Sequence, residues 1–149
     1  MATICLPPDF KEFLQLLNLH QIEYLLIGGY AVGYHGYPRS TGDIGVWIAM
    51  HPQNAKNMVT VLDEFGFCVP ELSVDLFMQE GKIIQMGVPP MRIDILTTLS
   101  GVRFEECYEE RVIDELDGVK VNVISLKHLR ENKKASGRHK DLNDLENLP

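Results

Sequence analysis

The stretch Glu-Tyr-Leu-Leu-Ile-Gly-Gly at 23–29 constrains the fold more than any other part of the chain. So short an apolar burst, ended by a glycine pair, reads as a buried strand rather than a helix. Tyr-Ala-Val-Gly-Tyr-His-Gly at 30–36 then has the length for two helical turns leaving the end of that strand. Such a unit brings the backbone N–H groups of Gly28 and Gly29 to a helix N-terminus, where the helix dipole favours an anion. Taken alone, a glycine pair is more often a tight packing turn. It is neither a Walker A loop, since no Gly-Lys-Ser/Thr follows, nor a dinucleotide-binding loop, since the Gly-x-Gly-x-x-Gly spacing is absent.

The elements around this unit follow from their periodicity. Asp9, after Pro7 and Pro8 and three residues before Glu12, predicts a capping-box start. The helix it opens carries Phe10, Phe13, Leu14 and Leu17 on one face and runs to about His20. Asp-Ile-Gly-Val-Trp-Ile-Ala-Met at 43–50 predicts a second strand, and Asn54 to Phe67 a helix burying Met58, Val61, Leu62 and Phe65 before Gly66 stops it. Lys82 to Gly87 and Met91 to Leu96 predict neighbouring strands, with Pro89 and Pro90 at the turn between them. Residues 104–112 predict a helix and 119–125 a strand; Ser125 caps a helix through Lys133, and a short helix follows from Lys140. Strands mixed with helices, without a regular βαβ repeat, predict an α+β fold: a mixed β-sheet with helices mainly on one face. The 149 residues suit one domain spanning 1–149, long enough to bury its own core.

Cys5, Cys68 and Cys107 are odd in number and widely spaced, which supports no disulfide framework and no Cys-x-x-Cys site and fits a reducing cytoplasm. The first residues carry no basic signal-like start, and no run approaches the roughly 20 apolar residues of a membrane span. The net charge of −7 speaks against a protein that coats nucleic acid non-specifically. The average hides a local reversal. Between Leu126 and Lys140 stand Lys127, Arg130, Lys133, Lys134, Arg138 and Lys140 against the single acid Glu131. A solvated helix face is the usual meaning of such a run, and a phosphate-facing wall the more specific one.

Side chains alternate along a strand, so Asp43 and position 45 share one face while Ile44 and Val46 take the other. Asp94 stands in the apolar run Arg-Ile-Asp-Ile-Leu, where a carboxylate needs a partner. An exposed edge, a pairing with Arg92 or Arg39, or a metal ion would each supply one. His35, His51 and His139 lack metal-ligand spacing, His20 and His128 read as surface residues, and Trp47, Tyr30, Tyr34 and Tyr37 as packing aromatics.

Together Gly28-Gly29, Arg-Ser-Thr-Gly-Asp at 39–43 and the Asp94 strand resemble the nucleotidyltransferase superfamily with the DNA polymerase beta-like palm. The likeness is nearest to small bacterial nucleotidyltransferases related to the toxins of abortive-infection toxin–antitoxin systems. Their closing pattern, Asn-Lys-x-Ala-x-Gly-Arg-x-Lys-Asp-x-x-Asp-Leu, is similar to the segment from Glu131 to Leu148. The resemblance runs from about Leu6 to the end of the chain. It implies that Gly28, Gly29, Arg39, Thr41, Lys133 and Arg138 hold a nucleoside triphosphate, with Asp141 and Asp144 as support. It implies also that Asp43 and Asp94 bind Mg2+ or Mn2+, and that a nucleoside monophosphate passes to a hydroxyl of RNA (such as tRNA), protein or a small molecule. Asp94 would assist deprotonation of that hydroxyl. A homodimer or a cognate partner protein is implied on the same ground.

The departure from the family falls at Gly45, where the second metal-binding Asp stands. Two-metal transfer uses carboxylates bridging ions about 3.5–4 Å apart. Losing one clamp on a transferring phosphoryl group costs roughly 10² to 10³ in rate. Gly45 therefore predicts crippled catalysis, and the alternative is a non-catalytic nucleotide-sensing or partner-binding domain.

Overall fold

The computed structural model describes residues 4–39, 41–67, 70–88 and 91–149. Helix α1 (Pro8–Leu19) buries Phe10, Phe13, Leu14 and Leu17, as their spacing predicts. No side chain caps it. The expected capping box fails because Pro8, whose fixed φ suits a first helical position, starts the helix and leaves Asp9 already helical. Strand β1 (Tyr24–Ile27) is buried at every position, and α2 (Gly28–Tyr34) begins on the first glycine itself. Strand β2 (Asp43–Ile48) leads to α3 (Pro52–Phe65), which His51 caps by accepting from the Asn54 backbone N–H and Gly66 ends at φ 94°.

A short 3₁₀ turn (Asp75–Met78) precedes β3 (Ile83–Val88) and β4 (Met91–Leu96). The expected turn prolines, Pro89 and Pro90, lie outside the described residues, as does Cys68. Helix α4 (Phe104–Glu109) is shorter than predicted, because Val112–Leu116 form a strand, β5, paired with β6 (Val119–Val123). Helix α5 (Leu126–Ser136) is capped by the Ser125 hydroxyl, as expected, and α6 (His139–Asn147) follows.

The six strands form one mixed sheet in the order β3-β4-β2-β1-β6-β5, so the fold is α+β. Antiparallel β1 and β2 lie at its centre, and each has a parallel neighbour, β6 and β4 respectively. Helix α1 packs on α3 and β6, while α2 packs on β1 and β2. Trp47 is core, edge-on to Phe104, with its indole N–H donating to the Thr97 carbonyl at 3.3 Å. None of the described helices is long and apolar enough to cross a membrane.

One buried side chain joins the start of β1 to the end of β2. Asn54 Oδ1 accepts from the Glu23 backbone N–H at 2.8 Å, and its Nδ2 donates to the Ala49 and Glu23 carbonyls at 2.9 and 3.2 Å. Alanine there strands the Glu23 N–H and the Ala49 carbonyl, each costing about 1–3 kcal/mol when buried, while the Glu23 carbonyl keeps the Ala49 N–H at 3.1 Å. We expect Asn54→Ala to lower unfolding stability by ~3 kcal/mol in urea denaturation, and a loss below about 1 kcal/mol would contradict this role.

Register sets out the floor of a cleft. Ile27, Gly45, Asp94 and Gln85 lie side by side across β1, β2, β4 and β3, and Asp43, Arg92 and Gly87 form the next row. On the opposite face Ile44, Val46, Ile93 and Ile95 are buried in the core.

Candidate functional site

Above these rows lies an open cleft of about 590 Å³. Every residue that the sequence singles out as a site candidate lines it: Gly28, Gly29, Arg39, Thr41, Asp43, Gly45, Asp94, Lys133 and Arg138. Segments far apart in the chain converge here because β1, β2 and β4 are neighbours while α5 and α6 pack on each other beside them. The lining carries six cations, Arg39, Lys82, Arg92, Lys133, Arg138 and Lys140, against the two carboxylates of Asp43 and Asp94. A chain of net charge −7 thus turns a locally positive surface inward, which suits an anionic ligand.

Gly28 and Gly29 are glycines for different reasons. Gly28 holds φ at 71°, which L side chains rarely adopt. A Cβ on Gly29 would stand 2.8 Å from the Thr41 side chain. Thr41 in turn donates through Oγ1 to the Asp43 carbonyl at 3.1 Å and so fixes the start of β2.

The two carboxylates are joined by a residue that the sequence offers only as one of several partners for Asp94. Arg92 donates from Nε and Nη2 to the Asp94 oxygens, at 2.9 and 3.3 Å, and from Nη2 to Asp43 Oδ2 at 3.0 Å. The hydrogen bond and charge of Asp94 hold the guanidinium still further above its usual protonation range, with a smaller contribution from Asp43. Arg92 stands two residues before Asp94 on one strand, so the period of two already places both on the same face.

Position 45 has room for more than hydrogen. Its φ lies outside the left-handed region, and an added Cβ would meet Ile27 Cγ1 at 3.3 Å, a flexible neighbour that can give by a few tenths. The divalent ions that the resemblance implies do not fit the present donor set as a pair. Gly45 supplies no oxygen, and Arg92 takes both oxygens of Asp94 and one of Asp43. Among the described residues no group of three or more His, Cys, Asp or Glu is placed to hold a metal.

The basic wall is more inward and more neutralised than its sequence suggests. Lys133 is only 4 % exposed, with Nζ 3.2 Å from Asp141 and 3.0 Å from Asp144. Arg39 makes a bidentate pair with Asp144 at 2.9 and 3.0 Å, and Arg138 pairs with Asp141 at 2.8 Å while staying largely exposed. Burial pushes the Asp141 carboxyl up, but hydrogen bonds from Arg138 and Lys133 outweigh it and hold the group below the usual carboxylate range. Lys82 and Lys140 line the cleft with no ion pair among the described residues. His128, expected at the surface, is buried under the α5 cap, with Nδ1 at 3.0 Å from the Ser125 hydroxyl.

No protein-family model matches the chain, and no curated protein sequence does. Solved structures do. A Thermotoga maritima protein provisionally assigned as a nucleotidyltransferase superposes with a TM-score of 0.63 at 13% identity, over 92% of this chain and 88% of that one. An antigenic nucleotidyltransferase-like protein from Paracoccidioides brasiliensis gives 0.56 at 20% identity, over 93% of this chain and 72% of that one. At such identities the likeness concerns the backbone and leaves activity to be argued from the site. The chain has the nucleotidyltransferase-like fold.

Proposed function

We propose that the chain binds a nucleoside triphosphate in this cleft and that Gly45 disables transfer of the nucleotide to an RNA, protein or small-molecule hydroxyl. The observation that carries the reading is the row Ile27, Gly45, Asp94, Gln85. It sets a residue with no side chain between β1 and the Asp94 strand, on the floor of a cation-lined cleft. A polyphosphate suits that charge, whereas two carboxylates already bridged by a guanidinium give poor support to phosphoryl-transfer chemistry. The non-catalytic reading, a nucleotide-sensing domain, draws on that same Arg92 bridge.

Occupancy of the cleft is testable at its glycine turn. Any side chain at position 29 displaces Thr41 and narrows the space beside Asp43. Gly29→Val is expected to weaken triphosphate binding about tenfold, the equivalent of ~1.4 kcal/mol, in equilibrium dialysis with labelled nucleotide. Unchanged affinity in a folded variant would put the ligand elsewhere.

A further inference from the structure

We propose that the Arg92 guanidinium takes the place of a divalent ion between Asp43 and Asp94, so that the cleft binds a nucleoside triphosphate in its metal-free form. The inference rests on the nucleotide-binding reading above and goes beyond it in naming the ionic form of the ligand. A divalent ion in a phosphate site does two things: it offsets the carboxylates that would repel the ligand, and it offers positive charge to the phosphate oxygens. Arg92 is placed to do both. Its Nε and Nη2 span the Asp94 carboxylate, and Nη2 also reaches Asp43 at 3.0 Å, so one fixed cation bridges two anions and offsets one of their two charges. That fork leaves Nη1 without an acceptor among the described residues, with two N–H donors in the planar geometry that matches phosphate.

The surroundings favour the same ligand form. Gly45 adds no third carboxylate for an ion to neutralise, and Lys82 and Lys140 bring charge to the lining that no described acid takes up. A cation that belongs to the chain cannot be removed by a chelator. Chelator resistance therefore separates this arrangement from an ion-bridged one.

The test is calorimetric titration of the full chain with ATP, GTP, CTP and UTP in turn, in excess EDTA and in excess magnesium. For the triphosphate that binds, we expect a dissociation constant at least about threefold lower in EDTA than in excess magnesium, since the ion then competes with the side-chain clamp for the phosphates. Arg92→Gln should lose about tenfold or more in EDTA and recover most of it with magnesium, because Asp43 and Asp94 are then free to share an ion with the phosphates. The single tryptophan, Trp47, is buried against Phe104, and its emission reports whether the variant is folded. Should Arg92→Gln fail to fold, the comparison of buffers for the native chain decides alone. Native binding at least as tight in magnesium as in EDTA, or Arg92→Gln binding in EDTA as tightly as the native chain, overturns the proposal while leaving the nucleotide reading intact. No binding of any triphosphate in either buffer removes that reading, and this inference with it.

Discussion

Asp144→Ala is expected to destabilise the fold by about 3–5 kcal/mol, the cost typical of removing one partner from a buried ion pair. The carboxylate is fully buried and holds two cations: Arg39 through a bidentate pair and Lys133 at 3.0 Å. Without it Lys133 keeps Asp141 alone, and Arg39, itself mostly buried, keeps no described partner. The loss ties together distant parts of the chain, because Arg39 lies between α2 and β2 whereas Asp144 stands on α6. A drop in Tm of roughly 10 °C should accompany it. Urea denaturation checks the value. A change below about 1 kcal/mol would mean that the network is screened by water and contributes as little as a surface pair.

Gly45→Asp should have the larger functional effect. The new carboxylate shares a strand face with Asp43 and lies directly across from Asp94, with only Ile27 Cγ1 to move aside. Like charges opposite each other on neighbouring strands are destabilising. The variant is therefore expected to be less stable than the native chain in EDTA and to regain stability with magnesium or manganese, since a ligand bound only by the folded state stabilises it. Three carboxylates around one guanidinium leave an excess negative charge that a divalent ion can answer, and transfer should rise by about 10² to 10³ over the native chain. Thermal melts with and without the ion, beside a transfer assay, check the two halves separately. Melting that ignores the ion would show that position 45 cannot join a metal site.

Much of the frame was legible because its signals are local. The apolar burst of β1, the one-sided spacing of α1 and α3 and the Ser125 cap each depend on residues within a few positions of one another. Strand β5 escaped because only Leu116 is buried in it: Val112 reads as the end of the α4 helix, and Ile113 to Leu116 show no strict alternation of apolar and polar residues. Its signal was the turn that follows: Asp117 and Gly118 both take positive φ, 51° and 80°, as a two-residue hairpin requires. The floor of the site was legible from the period of two, together with the family resemblance that marks Gly45 as a departure. What the cations do was not. Arg39 and Asp144 are 105 residues apart, and a run of lysines and arginines carries no sign of which will be buried. The nearest hint was the pair Asp141 and Asp144, one helical turn apart and so on one face of α6.

On the proposed reading, the cleft holds a nucleotide and position 45 separates it from chemistry. The most direct measurement is transfer from each of four α-phosphate-labelled triphosphates into total cellular RNA and protein, with magnesium, for the native chain beside Gly45→Asp. Label should be incorporated by Gly45→Asp, with little or none incorporated by the native chain. Equal transfer by both would show that Asp43 and Asp94 suffice despite the Arg92 bridge, and would contradict that reading.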